Sequence, residues 1–224
     1  MEKKQEKMKM FIDIAMLVSL LFLMAYQVTG DLFHEWIGMG MTVLVIVHQI
    51  LSRKWYGSLF KGKHSPYRIL SIVINVFLIL SFFVTALCGM SMSSHAVPFL
   101  YGILKLSFAR RMHLSLSHWS FVLMGLHLGM HMPLILAKLK FGKKQKIFDA
   151  VLSFVAIAGL TLCFRNRIYD YLFFKAAFAF FDYDKAAILV FVENLLILLS
   201  WTFFGYALAR LCQSKQQGTF HDGK

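Results

Sequence analysis

Nine histidines stand in this chain, and four of them repeat one spacing. His34 and His48 lie 14 residues apart in LFHEWIGMGMTVLVIVHQIL, and His113 and His127 lie 14 apart in MHLSLSHWSFVLMGLHLGM. On a helix that turns about 100° and rises 1.5 Å per residue, such a step returns to within about 40° of one face and advances about 21 Å. Each segment therefore presents two imidazoles on one face, one near each end. Imidazole suits iron, copper and zinc. A lone histidine in an apolar helix is more commonly a packed residue or a proton relay, but two matched pairs ask for a cofactor with two ligands at each of two levels.

The elements that position these residues follow from composition. Of 224 residues, 58% are hydrophobic and 16% charged, against about 45–50% and 25% in soluble domains. The apolar residues fall in long runs without the ten-residue alternation of a membrane β-barrel, so the expected fold is an all-α integral membrane protein. About 20 apolar residues per crossing give six spans, near 10–28, 32–51, 69–90, 113–136, 147–164 and 187–209. The first run follows basic residues as a signal peptide would, but it is long, carries Asp13 and lacks a small-x-small cleavage site, so it reads as a retained helix. Spans one to four, within residues 1–136, form the histidine-bearing bundle. Residues 137–224 add two further helices, an aromatic segment and a tail.

The formal charge of +13 is topological rather than a nucleic-acid footprint, because it sits between apolar runs. Placing both termini in the cytoplasm puts 17 of the 24 Lys and Arg inside, as the positive-inside rule requires. Two outer connections, Pro98 to Phe108 and Ile168 to Phe181, are too apolar for solvated loops and read as helices in the membrane interface. For the second, a partner-docking surface or a covered bundle end is an equal alternative.

With one span between them, the second and fourth helices run in the same direction. His34 then comes level with His113, and His48 with His127. A porphyrin between parallel helices takes one axial nitrogen from each side, and this register supplies that twice. The three cysteines form no CxxCH attachment site, so the expected cofactors are two haem b groups held by these four histidines. Arg110 and Arg111 stand at the outer mouth, where their guanidinium groups would pair with propionates. His118 falls off the porphyrin face and would hydrogen-bond a neighbour or a propionate. His131 shares the face of His127 one turn deeper and is a reserve ligand for the inner site. Gly38, Gly40, Gly125 and Gly129 would let a macrocycle approach the backbone or would serve helix packing. Asp13 and Glu193 are intramembrane acids, suited to carrying protons in quinone chemistry or to snorkelling and pairing with bases.

The segments GDLFHEWIG, VHQILSRKWYGSLFKGK and ARRMHLSLSHWSFVLMGLHLGMH resemble the bacterial flavinylation-associated cytochrome family, di-haem membrane proteins related in ligand spacing to cytochrome b. The likeness covers most of the chain, and FDYDKAAILVFVEN is also similar. It implies haem b ligation by His34, His48, His113 and His127 in the bacterial cytoplasmic membrane, and electron passage towards an extracytosolic flavinylated or FMN-binding protein on a separate chain. The chain has no flavin-attachment sequence of its own, so it reads as an electron-transfer component without a catalytic residue set. A membrane quinol is a candidate donor. Two other functions use the same residues: a transmembrane reductase acting directly on ferric iron or another outside substrate, and a haem-free transporter or scaffold whose histidines bind Zn²⁺ or relay protons. Zinc prefers three or four ligands in one tetrahedron, which two separated pairs do not offer.

Overall fold

The computed structural model describes residues 2–59, 65–140 and 142–221, without side chains at 2–4, 143 and 215–221. Among these residues the chain forms eight α-helices: α1 (Glu2–Met24), α2 (Tyr26–Leu51), α3 (Arg53–Ser58), α4 (Pro66–Met90), α5 (Leu106–Lys138), α6 (Gln145–Arg165), α7 (Ile168–Leu172) and α8 (Ala187–His221). Five are long and apolar enough to cross a bilayer: α2, α4, α5, α6 and Ala187–Ser214 of α8. The helix α1 differs because Lys7, Lys9 and Asp13 occupy its first half. Its uncharged part, from Ile14 to Met24, spans about 16 Å at 1.5 Å per residue, about half of a hydrocarbon core.

Surface and interior are arranged as lipid demands. Phe77, Leu80, Phe154 and Ile157 are exposed on the helix surfaces, whereas Ser81, Ser115, Ser120, Ser200 and Thr202 are buried. In lipid, close helix contact is driven by packing of small residues and by local hydrogen bonds. The buried hydroxyls of Ser200 and Thr202 donate to the carbonyls of Ile197 and Leu198 in their own helix.

The chain forms two compact units, to both of which α4, α5 and α8 contribute. The first comprises Met1–Gly62, Phe83–Leu114 and Ala176–Asn194. Here α1 packs against α2. Leu23 approaches Gly38, and Asp13 bonds His48, so residue numbers fall on one helix as they rise on the other and the pair is antiparallel. The reversal is made by Gly30, whose φ of 64° breaks α2 after its first turn. An L side chain is strained in that region, which glycine enters freely.

The second unit comprises Lys63–Phe82, Ser115–Lys175 and Leu195–Lys224. Ile74 of α4, Met130 of α5 and Ala209 of α8 form one buried cluster, and Leu136, Leu152 and Tyr206 form another across α5, α6 and α8. The α5–α8 contact is backbone against backbone. A Cβ on Gly129 would lie 2.1 Å from the Thr202 carbonyl oxygen, and one on Gly125 would lie 2.6 Å from Trp201 Cβ. These two glycines therefore serve helix packing against α8. Gly40 has nothing within 4 Å of its Cβ position.

Neither outer connection is the interfacial helix expected from its apolarity. In the first, Pro98–Leu100 is a single 3-10 turn and α5 begins at Leu106. Gly102 adopts φ 78°, and Ser91 ties the loop down by accepting from the amides of Gly102 and Leu104. In the second, helix is confined to α7, which ends where Phe174 takes φ 58° and the Lys175 amide bonds the Asp170 carbonyl. The first helical turn ends at Tyr101, whose ψ of 128° is extended, and the second run ends ahead of Phe174 in the left-handed region.

Gly129→Val should be strongly destabilising, by about 1–3 kcal/mol or more from overpacking, while Gly40→Ala should leave stability unchanged. Thermal unfolding in detergent checks both, and equal melting of the two variants would contradict the packing assignment.

Candidate functional site: a histidine pair

In the first unit, His34 of α2 and His113 of α5 come together with ring centroids 5.9 Å apart and planes at 73°. Two imidazoles bonded to one metal ion at about 2 Å each hold their ring centres on the order of 6 Å apart. The observed separation fits that arrangement. His113 Nδ1–H donates to the Thr85 carbonyl at 2.9 Å, which leaves Nε2 as the nitrogen with a free lone pair. An outer partner that fixes the tautomer and orientation in this way is the usual companion of a metal-binding histidine. His34 Nδ1 is buried without a hydrogen-bond partner among the described residues. An orphaned buried nitrogen is costly, and a ligand at this pocket would relieve it.

The Thr85 carbonyl is reachable for a local reason. Its helical partner is the amide four residues on, which belongs to Gly89, and a Cβ there would lie 3.0 Å from His113 Cε1. Glycine at position 89 thus makes room for the imidazole against α4.

Two further features frame the pocket. Glu35, next to His34, gathers the loop after α4: its carboxylate accepts from Ser93 Oγ at 2.7 Å, from the His95 amide at 2.7 Å and from the Ala96 amide at 2.9 Å. Its contacts extend to the Ser94 amide and His95 Nδ1. His95 is therefore part of this clamp. Tyr26 meets His34 edge-on at 5.0 Å, stacks on Phe181 at 5.3 Å, and Phe181 contacts Tyr183 at 5.9 Å. Tyr183 is 78% exposed, so an unbroken series of rings runs from the pocket to the surface. Asp31 accepts the Tyr26 hydroxyl, and Gln27 holds the Asp182 carbonyl.

The other candidate histidines are also held. His48 Nδ1 lies 2.8 Å from Asp13 Oδ1 in the first unit. In the second unit, His127 Nδ1 lies 2.7 Å from Asn75 Oδ1 and its ring meets His131 at 4.7 Å. Each acceptor is an oxygen, so Nδ1 is the donor in both bonds. His118 stacks on Tyr171 at 4.3 Å with the two ring planes nearly parallel. Arg110 lies over the Phe178 ring, and Arg111 is exposed on α5. Glu193 is paired with Lys185 at 2.8 Å. His64 lies outside the described residues. Among the described residues no three or more His, Cys, Asp or Glu side chains converge as metal ligands.

Sequence reading missed Thr85, Gly89, Asn75, Glu35 and Tyr26. Asn75 carried a usable signal, as a lone amide in the apolar run of α4. The Thr85 carbonyl left none, since a backbone acceptor is present at every position.

These features define a class: a multi-pass helical membrane protein with two histidines of different helices brought ring to ring. Compared with protein-family models, curated proteins and solved structures, the chain matches none.

Glu35→Ala should free the amides of Ser94, His95 and Ala96, because a partly buried carboxylate acceptor worth about 1–3 kcal/mol is removed. Hydrogen exchange should show these amides exchanging faster by roughly 5- to 150-fold, with α4 protection retained. Unchanged exchange would contradict the clamp.

Proposed function

We propose that this chain conducts electrons across the bacterial cytoplasmic membrane through two non-covalently held b-type haems. The observation that carries the reading is the His34–His113 pair, with one ring anchored by a carbonyl and the other carrying an orphaned nitrogen. His34 and His113 would hold the outer haem. His48 and His127 are proposed for the inner one on sequence register and on the matched anchoring of each ring by Asp13 and Asn75. A haem iron so held supplies one-electron exchange between its ferrous and ferric states. The protein's residues orient the imidazoles, exclude water and give the site an outlet. Tyr26, Phe181 and Tyr183 favour delivery outside, to a flavinylated or FMN-binding protein on a separate chain. Arg110 and Arg111 lie on the turn of α5 before His113, where propionates would meet them. A membrane quinol is the proposed donor.

In this reading α1 is the sixth crossing, completing its span beside α2 with Asp13 bonded to His48. Both termini lie in the cytoplasm. The zinc alternative is disfavoured because the pocket assembles two imidazoles, fewer than a structural or catalytic zinc site takes.

Single alanine replacements test the ligand set. His34→Ala or His113→Ala should halve the haem released by acid-acetone extraction, and His48→Ala or His127→Ala should remove the other half. Full retention in all four variants, or a wild-type chain without haem, contradicts the proposal. Loss in His131→Ala but not in His127→Ala would transfer inner ligation to His131.

A further inference from the structure

The second unit contains a cavity of about 310 Å³ that the proposed conduit does not use. It lies where α5, α6 and α8 meet, with Pro133 and Leu136 among its apolar lining and Gln145, Tyr206, Arg210 and Gln213 among its polar lining. Tyr206 is only 3% exposed. Its hydroxyl donates to Asp149 Oδ1 at 2.9 Å and accepts from Gln145 Nε2 at 3.1 Å. Arg210 Nη1 donates to Asp149 Oδ2 at 2.8 Å. One side of the cavity is thus apolar, and the other is a connected network of amide, phenol, carboxylate and guanidinium.

This lining selects a type of ligand. An anionic headgroup would seek a buried, uncommitted cation, but Arg210 is engaged by Asp149, and Lys140, which also lines the cavity, is exposed to solvent, where an ion pair is worth little. A flat, uncharged head bearing oxygens that both donate and accept, joined to an apolar body, matches the amide and phenol groups and the Pro133–Leu136 wall. A cavity of about 310 Å³ is within the size range of small-molecule sites, and its lining divides about evenly between apolar and polar groups. The position is also suggestive of redox use. Pro133 follows His131 by two residues and His127 by six, about 3 Å and 9 Å along α5.

We infer that this cavity binds a quinone or its hydroquinone, with Gln145 and Tyr206 as the head-group contacts and Asp149 as the proton acceptor behind them. The inference rests on the electron-conduit reading for its redox role. A bound hydroquinone would give up two electrons, one at a time, to b-type haem iron and lose its two hydroxyl protons. It leaves as the quinone, and the protons pass in turn through Asp149 to water at the open side.

The test uses the purified full-length chain in phosphatidylcholine nanodiscs, titrated with a short-chain naphthoquinone by equilibrium dialysis, with haem quantified on the same sample. Saturable binding at one site per chain is expected. Gln145→Leu and Tyr206→Phe should weaken it at least about tenfold, and Ala137→Phe, which fills the cavity without touching the polar network, should abolish it. Adding phosphatidylglycerol should leave binding unchanged. Non-saturable uptake, wild-type binding in folded variants, or displacement by the anionic lipid overturns the site. Haem-loaded protein without saturable binding would remove this site and leave the conduit standing. Haem-free protein that still binds the quinone at these residues would keep the site and remove the conduit.

Discussion

A buried imidazole N–H in a lipid-facing bundle has no water to turn to, so protein must satisfy it. That requirement organises the histidine region. It ties His113 to a carbonyl of α4 and His127 to an amide of the same helix, while the half-exposed His48 pairs with an exposed carboxylate of α1. Each bond fixes a tautomer and joins two helices. The three acceptors differ in strength, with the Asp13 carboxylate the strongest hydrogen-bond partner, so the four rings are not chemically equivalent.

Holding such rings requires that the helices themselves come close. Gly89 admits His113 to α4, while Gly125 and Gly129 bring α5 onto the backbone of α8. In water a hydrophobic core would supply much of that cohesion. In lipid, small residues and local hydrogen bonds take over the task, and the buried Ser81–Ser120 contact between α4 and α5 belongs to the same pattern.

Much of the fold was legible because lipid imposes a length rule. The spans at α2, α4, α5, α6 and α8 follow from apolar runs alone, with ends displaced by seven residues at the start of α5 and by twelve at the end of α8. The sequence 98–108 was misread because apolarity does not distinguish helix from loop, and the extended conformation at Tyr101 decides it. The level register expected of α2 and α5 agrees with the contact between the His34 and His113 rings. The glycines had two physical explanations, and only the position of α8 chose between them for Gly125 and Gly129. Glu35 and Tyr26 were invisible as site residues because their partners, at 93–96 and at 181, are distant in sequence and follow no period.

The central claim is that His34 and His113 share one haem iron. Low-temperature electron paramagnetic resonance of the oxidised, purified chain addresses it directly, because axial ligation sets the spin state of ferric iron. The account predicts low-spin ferric signals of bis-imidazole iron, with one component lost in His113→Ala. High-spin ferric iron in the wild-type chain, or a low-spin spectrum that the replacement leaves unchanged, would contradict it.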